Sequence, residues 1–358
     1  LLGDATPCSW GGAGLTTING GAALVDAGVS TVALNSAMVG RIHMFGVLII
    51  PFIMIAMAFG RKGFRGIVPY LLFAGVSTGA VMFVLSNFVG AEVTSMGTGF
   101  LSILLSVAYV RLVGIRTPEE YRHHAGAQQR KYSAVKALSP YIFMMVILPA
   151  VRYGVPALFE NGFAVMCTFG YIFWVDIVIL ICGVLGAVTL GVGPKQYMEV
   201  CGETAKNVLP VFITIGSLLV VSYLMQSDRT GMMNLIATDV AAVVGSFYPA
   251  AAVLIGSSGA FVTGTGLGSN IMFADMHMQA AASLGINPIT VFAGQNAGAS
   301  LGNLICPNNT VAACATVGEE GNEGKVMRKT LVAFGIILVL YMTLTMLYTY
   351  VLFPHFGA

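Results

Sequence analysis

Charge is what this sequence has least of. Only 9% of its 358 residues are Asp, Glu, Lys or Arg, while 57% are hydrophobic. An ordinary soluble domain carries about 25% charged residues. With so few, a water-soluble fold of this size could not cover its own surface, which excludes a soluble enzyme, a nucleic-acid binder and a disordered chain. The net charge of +2 implies no strongly charged partner. Paired cysteines are missing too. Cys8, Cys167, Cys182, Cys201, Cys306 and Cys314 stand singly, mostly in apolar stretches and without metal-ligand spacing. They read as small buried residues rather than a disulfide framework or a zinc site. No His-Glu-x-x-His, paired-Asp or Ser/His/Asp constellation occurs, which argues against a membrane-embedded enzyme or an ion-pumping subunit. The opening Leu1-Leu2-Gly3-Asp4 has neither an initiator Met nor a signal-peptide layout, so an upstream part is expected to be missing.

What is present is apolar length. The mean hydropathy is +0.85, and a bilayer-spanning helix needs about 20 mostly apolar residues. Uncharged runs of suitable length cover 42–60, 67–89, 93–110, 137–151, 177–194, 207–225 and 331–353. The fold class is therefore an all-α polytopic membrane protein of the cell membrane, with the lipid bilayer as its first partner. Basic loops separate the runs: Arg61/Lys62/Arg65, the long stretch from Arg111 to Lys136, Lys195/Lys206, and Lys325/Arg328/Lys329. Placing them in the cytoplasm by the positive-inside rule makes the spans alternate without conflict. Spans 42–60, 93–110 and 177–194 then run inward and the others outward, with connectors 90–92, 152–176 and 226–246 outside.

Two stretches behave differently. Residues 247–318 hold one acid, Asp275, and no Lys or Arg, yet are rich in Gly, Ser, Thr and Asn. Residues 1–24 combine Gly3-Asp4-Ala5-Thr6-Pro7 with Gly11-Gly12-Ala13-Gly14. Non-helical backbone survives at membrane depth only where it lines a cavity or packs on protein, so function is expected here. Phe247–Val262 and Ile271–Leu284 read as two short helices joined by the tip Thr263–Asn270, a re-entrant hairpin with Ser269 and Asn270 as caps of the returning helix; two full spans with an ordinary loop are the alternative. Ile289–Leu301, Gly302–Thr310 and Val311–Val317 read as one discontinuous span, with Pro307 in a first helical turn. The Pro7 segment has the same break-then-Pro form in the opposite deduced orientation, which predicts an inverted repeat. In such folds half-helix N-termini face a central site suited to a carboxylate. The repeats are expected over 1–113 and 137–358, divided by a basic cytoplasmic loop at 114–136.

The chain resembles the lactate permease family, proton-coupled carriers of lactate and glycolate. Asp4-Ala5-Thr6-Pro7 through Gly14 is similar to the family's Asn-Thr-Ala-Pro-Val-Ala-Phe-Gly-Ala-Met-Gly. Val39-Gly40-Arg41, Ser86 to Glu92 and Ala312 to Gly318 also match family segments. The hairpin tip Thr263–Asn270 stands where the family has Thr-Gly-Ser-x-Thr-Ser-Ser-Asn, and Gly302–Asn308 where it has Gly-Lys-Met-Ile-Ser-Pro-Gln. The departures are Asp4 for Asn, Asn303 for Lys, Asp275 for a small residue, His277 for Gln, and Gly266 and Gly268 for hydroxyls. They mark a divergent relative.

The expected function is a secondary active transporter of a small monocarboxylate such as lactate or glycolate, with a proton or sodium as coupling ion and no cofactor or metal. A passive anion channel, or a carrier of another small organic anion, is the alternative. The neutral donors Thr6, Ser9, Thr263, Thr265, Ser269, Asn270, Asn303, Asn308, Asn309 and Thr310 are the expected substrate contacts, although the same groups could serve only to satisfy open helix ends. Asp4, Asp275 and His277 are the candidates for ion coupling. Asp4 could also simply cap the Pro7 half-helix, and Asp275 and His277, two residues apart, should lie on different helix faces. His43 and His123-His124 read as interfacial or solvated, and Glu92 and Asp176 as acids suited to helix starts. A homo-oligomer is left open.

Overall fold

A computed structural model describes residues 2–11, 14–115, 132–154, 175–205, 232–317 and 321–357, with positions 213, 217, 220 and 224 in addition. The described residues form helices and turns without strands. The chain divides into two units, Leu1–Glu119 with Thr214–Ala358, and Glu120–Ile213. All but four positions of the expected span 207–225, residues 155–174 of the connector 152–176 and most of loop 114–136, with His123-His124, lie outside the described residues.

In the larger unit α1 (Leu15–Ile18) and α2 (Ala22–Asp26) are short, followed by α3 (Val32–Phe59), α4 (Val68–Val84) and α5 (Ala91–Leu112). The smaller unit holds α6 (Ser139–Pro149) packed on α7 (Val175–Leu190), with Pro140 against Gly186. The larger unit resumes with α8 (Met232–Val244), α9 (Tyr248–Thr263), α10 (Gly266–Leu284), α11 (Pro288–Gly302), α12 (Pro307–Val317) and α13 (Glu323–Leu347). Among the described residues five stretches are long and apolar enough to cross a membrane: Val32–Phe64, Val68–Val89, Ala91–Leu112, Thr238–Thr263 and Glu323–Leu352. The chain is a multi-pass integral membrane protein.

Several expected boundaries move. Helix α3 begins at Val32 rather than 42, capped by Thr31, whose hydroxyl accepts from the Leu34 amide at 3.2 Å. Arg41 does not end it, because the guanidinium lies over the rings of Phe83, Phe353 and Phe356. Lys325, Arg328 and Lys329, expected in a loop, lie within α13. Lysine and arginine are good helix formers, so charge marked the apolar run and not the helix.

The hairpin is tighter than expected. Only Gly264 and Thr265 separate α9 from α10, with Gly264 at φ +75°. Ser269 and Asn270 are therefore inside the returning helix and cap nothing; the cap position is Thr265. The first arm, expected to be short, is extended backward through a 3-10 turn at Gly245–Phe247 into α8, giving the 26-residue stretch Thr238–Thr263. The beginning of the chain is not a pair of half-helices. It is a series of short turns, Leu2–Asp4, Pro7–Ser9, α1 and α2, so its likeness to 288–317 reduces to a proline in the first helical turn. Asp4 closes the first of these turns. The cap position ahead of Pro7 is Thr6, which makes no side-chain cap bond.

Helix α11 is the centre of the larger unit. Every residue from Ile289 to Gly302 is buried, with α9, α10, α3 and α13 packed around it. Small residues let the backbones close in: a Cβ on Gly298 would collide with the Val253 carbonyl, and one on Gly256 with the Gln295 carbonyl. Since α11 has no lipid face, it can carry Thr290, Gln295, Asn296 and Ser300 inward, provided each finds partners.

Candidate functional site

Three stretches of irregular backbone meet beside the C-terminal end of α11. The hairpin tip is the first: the Thr263 hydroxyl donates to the Thr265 carbonyl at 2.9 Å and accepts from the Thr265 amide at 3.3 Å. The second is the break Asn303–Cys306 between α11 and α12, with Pro307 at the first helical position as expected. The third is the turn Pro7–Ser9. A Cβ on Gly264 would stand 3.3 Å from Asn308 Nδ2, and one on Gly266 3.4 Å from Cys8 Sγ. Asn303 Nδ2 donates to Cys8 Sγ, and Asn309 Nδ2 to the Asn303 carbonyl at 3.2 Å. Asn303 Oδ1 is buried there with no hydrogen-bond partner.

Thr263, Thr265, Asn303, Asn308 and Asn309 are thus brought together as expected. Thr6 is buried on the same side, its carbonyl 3.5 Å from the Ser300 hydroxyl. Thr310 faces away from this use: its hydroxyl donates back to the Cys306 carbonyl at 3.0 Å. Asp275 is half-buried and accepts from Gln279 Nε2 at 2.7 Å, whereas His277 is fully buried, so the two lie on different faces as their spacing required. The Asp4 side chain is outside the described atoms.

Behind the junction, α11 anchors two polar networks. Gln295 Nε2 donates to the Ser269 hydroxyl at 3.0 Å and to the Ser269 carbonyl at 3.3 Å, which fixes the amide and turns Oε1 toward His277 Nε2 at 2.8 Å. Oε1 only accepts, so Nε2 carries the proton and Nδ1 accepts from the Tyr248 hydroxyl at 2.9 Å. Asn270 Nδ2 donates to the Thr16 carbonyl at 3.2 Å, and the Ser269 hydroxyl to the Gly256 carbonyl at 2.8 Å. Ser269 and Asn270 therefore brace the hairpin rather than line the junction.

The second network runs the other way. Asn296 Nδ2 donates to the Thr17 hydroxyl at 3.1 Å, and the Ser9 hydroxyl donates to the Asn296 carbonyl at 3.2 Å. Ser9 Oγ is hydrogen-bonded to His43 Nε2, and His43 Nδ1 to the Tyr341 hydroxyl at 2.8 Å. This set closes with a neutral His43 whose proton is on Nε2, the same tautomer as His277. His43 is not interfacial, as the sequence suggested, but fully buried. Because α3 starts at Val32, His43 lies well inside the helix instead of at its mouth. Sequence reasoning also passed over Gln295, Asn296, Tyr248 and Tyr341. The available signal was the Gln295-Asn296 pair inside the otherwise small and apolar run 289–301.

The family profile of L-lactate permease matches residues 1–170 and 154–353. The chain belongs to the L-lactate permease family. Among individual relatives it is 23% identical over 302 residues to the L-lactate permease of Streptococcus iniae, covering 80% of this chain and 62% of that protein. It is 24% identical over 343 residues to Glycolate permease GlcA of Escherichia coli (strain K12), covering 82% and 61%. A 24% identity over 359 residues links it to the L-lactate permease of Salmonella typhimurium, covering 88% and 64%. The chain thus spans less than two thirds of the length of these relatives. No solved structure matches it.

Proposed function

We propose that this member of the family is a secondary active transporter of a small monocarboxylate such as lactate or glycolate, coupled to a proton or sodium gradient. The observation that carries the reading is the junction itself. The hairpin tip, the break before Pro307 and the Pro7 turn meet, and the side chains there are neutral donors and acceptors. Such a set can bind a carboxylate and release it, where a fixed ion pair would hold it. The names of the relatives supply the substrate class. In this reading the tip between α9 and α10 and the two breaks gate the junction, and alternating access moves the elements that carry them against each other. Asp4 and Asp275 are the carboxylates available for the coupling ion. His277, with both ring nitrogens engaged, holds the hairpin to α11.

The test is uptake of labelled lactate, glycolate and acetate by proteoliposomes under imposed proton and sodium gradients in turn. Saturable uptake that follows one gradient, with counterflow, is expected, and Asp275→Asn should weaken the gradient dependence. Non-saturating flux without counterflow would make the protein a channel and end the transporter reading.

A further inference from the structure

Away from the junction, a cavity of about 550 Å³ opens between the start of α11 and the C-terminal turn Pro354–Gly357. Asn287 and Pro288 form one wall, and Thr349, Tyr350 and Phe356 the other. The turn is tied down by one side chain: Asn287 Nδ2 donates to the Phe356 carbonyl at 2.8 Å and lies 3.4 Å from that of Phe353.

Phe356 has two neighbours of opposite kind. On one side it lines the cavity; on the other its ring centroid is 4.7 Å from the guanidinium carbon of Arg41. Phe353 and Phe83 complete the cover at 5.3 and 5.8 Å. Within it Arg41 is half-buried and does not itself line the cavity; one terminal nitrogen, Nη1, is buried without a hydrogen-bond partner, and no carboxylate among the described residues pairs with the guanidinium. The rings offset part of the cost of this charge but accept no hydrogen bond in the plane of the fork. A buried donor left unmade is costly, and a charge within a membrane-spanning helix is retained for use. A carboxylate would supply both the opposite charge and the paired acceptors the fork is built for.

We propose that this cavity admits the small carboxylate, with Arg41 as its counter-charge and Phe356 as the partition that must give way. The start of the fifteen-residue helix α11 faces the same space; its Ile289 amide is taken by Asn287 Oδ1 at 2.9 Å and Pro288 has no N–H, so the helix contributes only its dipole, which favours the same sign of ligand. The assignment deepens the transporter reading, from which it takes the identity of the anion. It adds a cationic group, which the junction lacks among the described residues.

Equilibrium binding of propionate and of its neutral isostere propionamide to the purified full chain tests it. The wild type should bind propionate at least about tenfold more tightly. Arg41→Gln should abolish the preference, Arg41→Lys should retain part of it, and Phe356→Ala should keep the preference while speeding association. An Arg41→Gln protein that still prefers propionate overturns the proposal, as does a wild type without preference. If Arg41→Gln does not fold, unchanged affinity in Arg41→Lys together with unchanged association in Phe356→Ala overturns it. The transporter reading is judged separately, by wild-type uptake in proteoliposomes: binding with preference but no uptake sinks that reading and leaves Arg41 an anion site.

Discussion

Gln295 and Asn296 are neighbours on α11, yet they anchor networks of different reach. Gln295 holds Ser269, Asn270 and, through His277, Tyr248, so its partners all lie within the preceding fifty or so residues. Asn296 holds Thr17 and Ser9, 279 and 287 residues away, and Ser9 leads on to His43 and Tyr341. The first network, apart from the single bond that Asn270 Nδ2 makes to the distant Thr16 carbonyl, can close once the hairpin meets α11. The second closes only when the two ends of the chain come together, a larger loop-closure cost met late in folding. One helix thus ties a local hairpin to a long-range junction, and its lack of any lipid face follows from serving both.

The comparison breaks most visibly if α11 itself is displaced. Gly298→Leu puts a side chain where the Val253 backbone lies, so neither network can keep its register. We expect a loss of about 3 kcal/mol, at the upper end for overpacking. Thermal unfolding in detergent reads it, and an unchanged midpoint would mean that α9 and α11 are not packed backbone to backbone.

Next come the two histidines. His277→Ala strands the Tyr248 hydroxyl and Gln295 Oε1, and His43→Ala strands the Tyr341 hydroxyl while Ser9 keeps its bond to Asn296, at about 2 kcal/mol each. They should differ in consequence. Loss of His43 removes one of the bonds that hold the Pro7–Ser9 turn, so the native thiol of Cys8 should react faster with a small aqueous thiol reagent. Loss of His277 loosens the hairpin and should leave the Cys8 rate near that of the wild type. Equal acceleration in both variants would mean the two networks behave as one.

The same division explains what could be read from the sequence. Most long helices were legible because an apolar run of twenty residues has few other uses. Their ends were not, since Arg41 and Lys325 continue a helix as well as leucine does. The junction was legible as composition, because Gly, Pro, Ser and Asn clusters in apolar surroundings mark broken backbone: Thr263, Thr265, Asn303 and Asn308 meet as expected. Ser269 and Asn270 were misread as caps, because a two-residue tip leaves them a turn inside α10. His43 was misread for a different reason. Its partners Ser9 and Tyr341 are 34 and 298 residues away, and no local pattern announces a contact of that range.

The smallest expected effect separates residues that line the junction from those that only satisfy its backbone. Thr310 is buried at the start of α12, and its hydroxyl is spent on the Cys306 carbonyl. That carbonyl also accepts from the Thr310 amide at 3.1 Å, so it is not stranded when the hydroxyl goes. Thr310→Val keeps the shape and should cost less than about 1 kcal/mol, with substrate KM unchanged. Thr265→Val, at the hairpin tip, should instead raise KM severalfold at similar stability. If the Thr310 variant raises KM as much, its hydroxyl must leave Cys306 to meet substrate during the cycle. The distinction between lining and self-satisfied donors then fails, and with it the contrast between the tip and the first turn of α12.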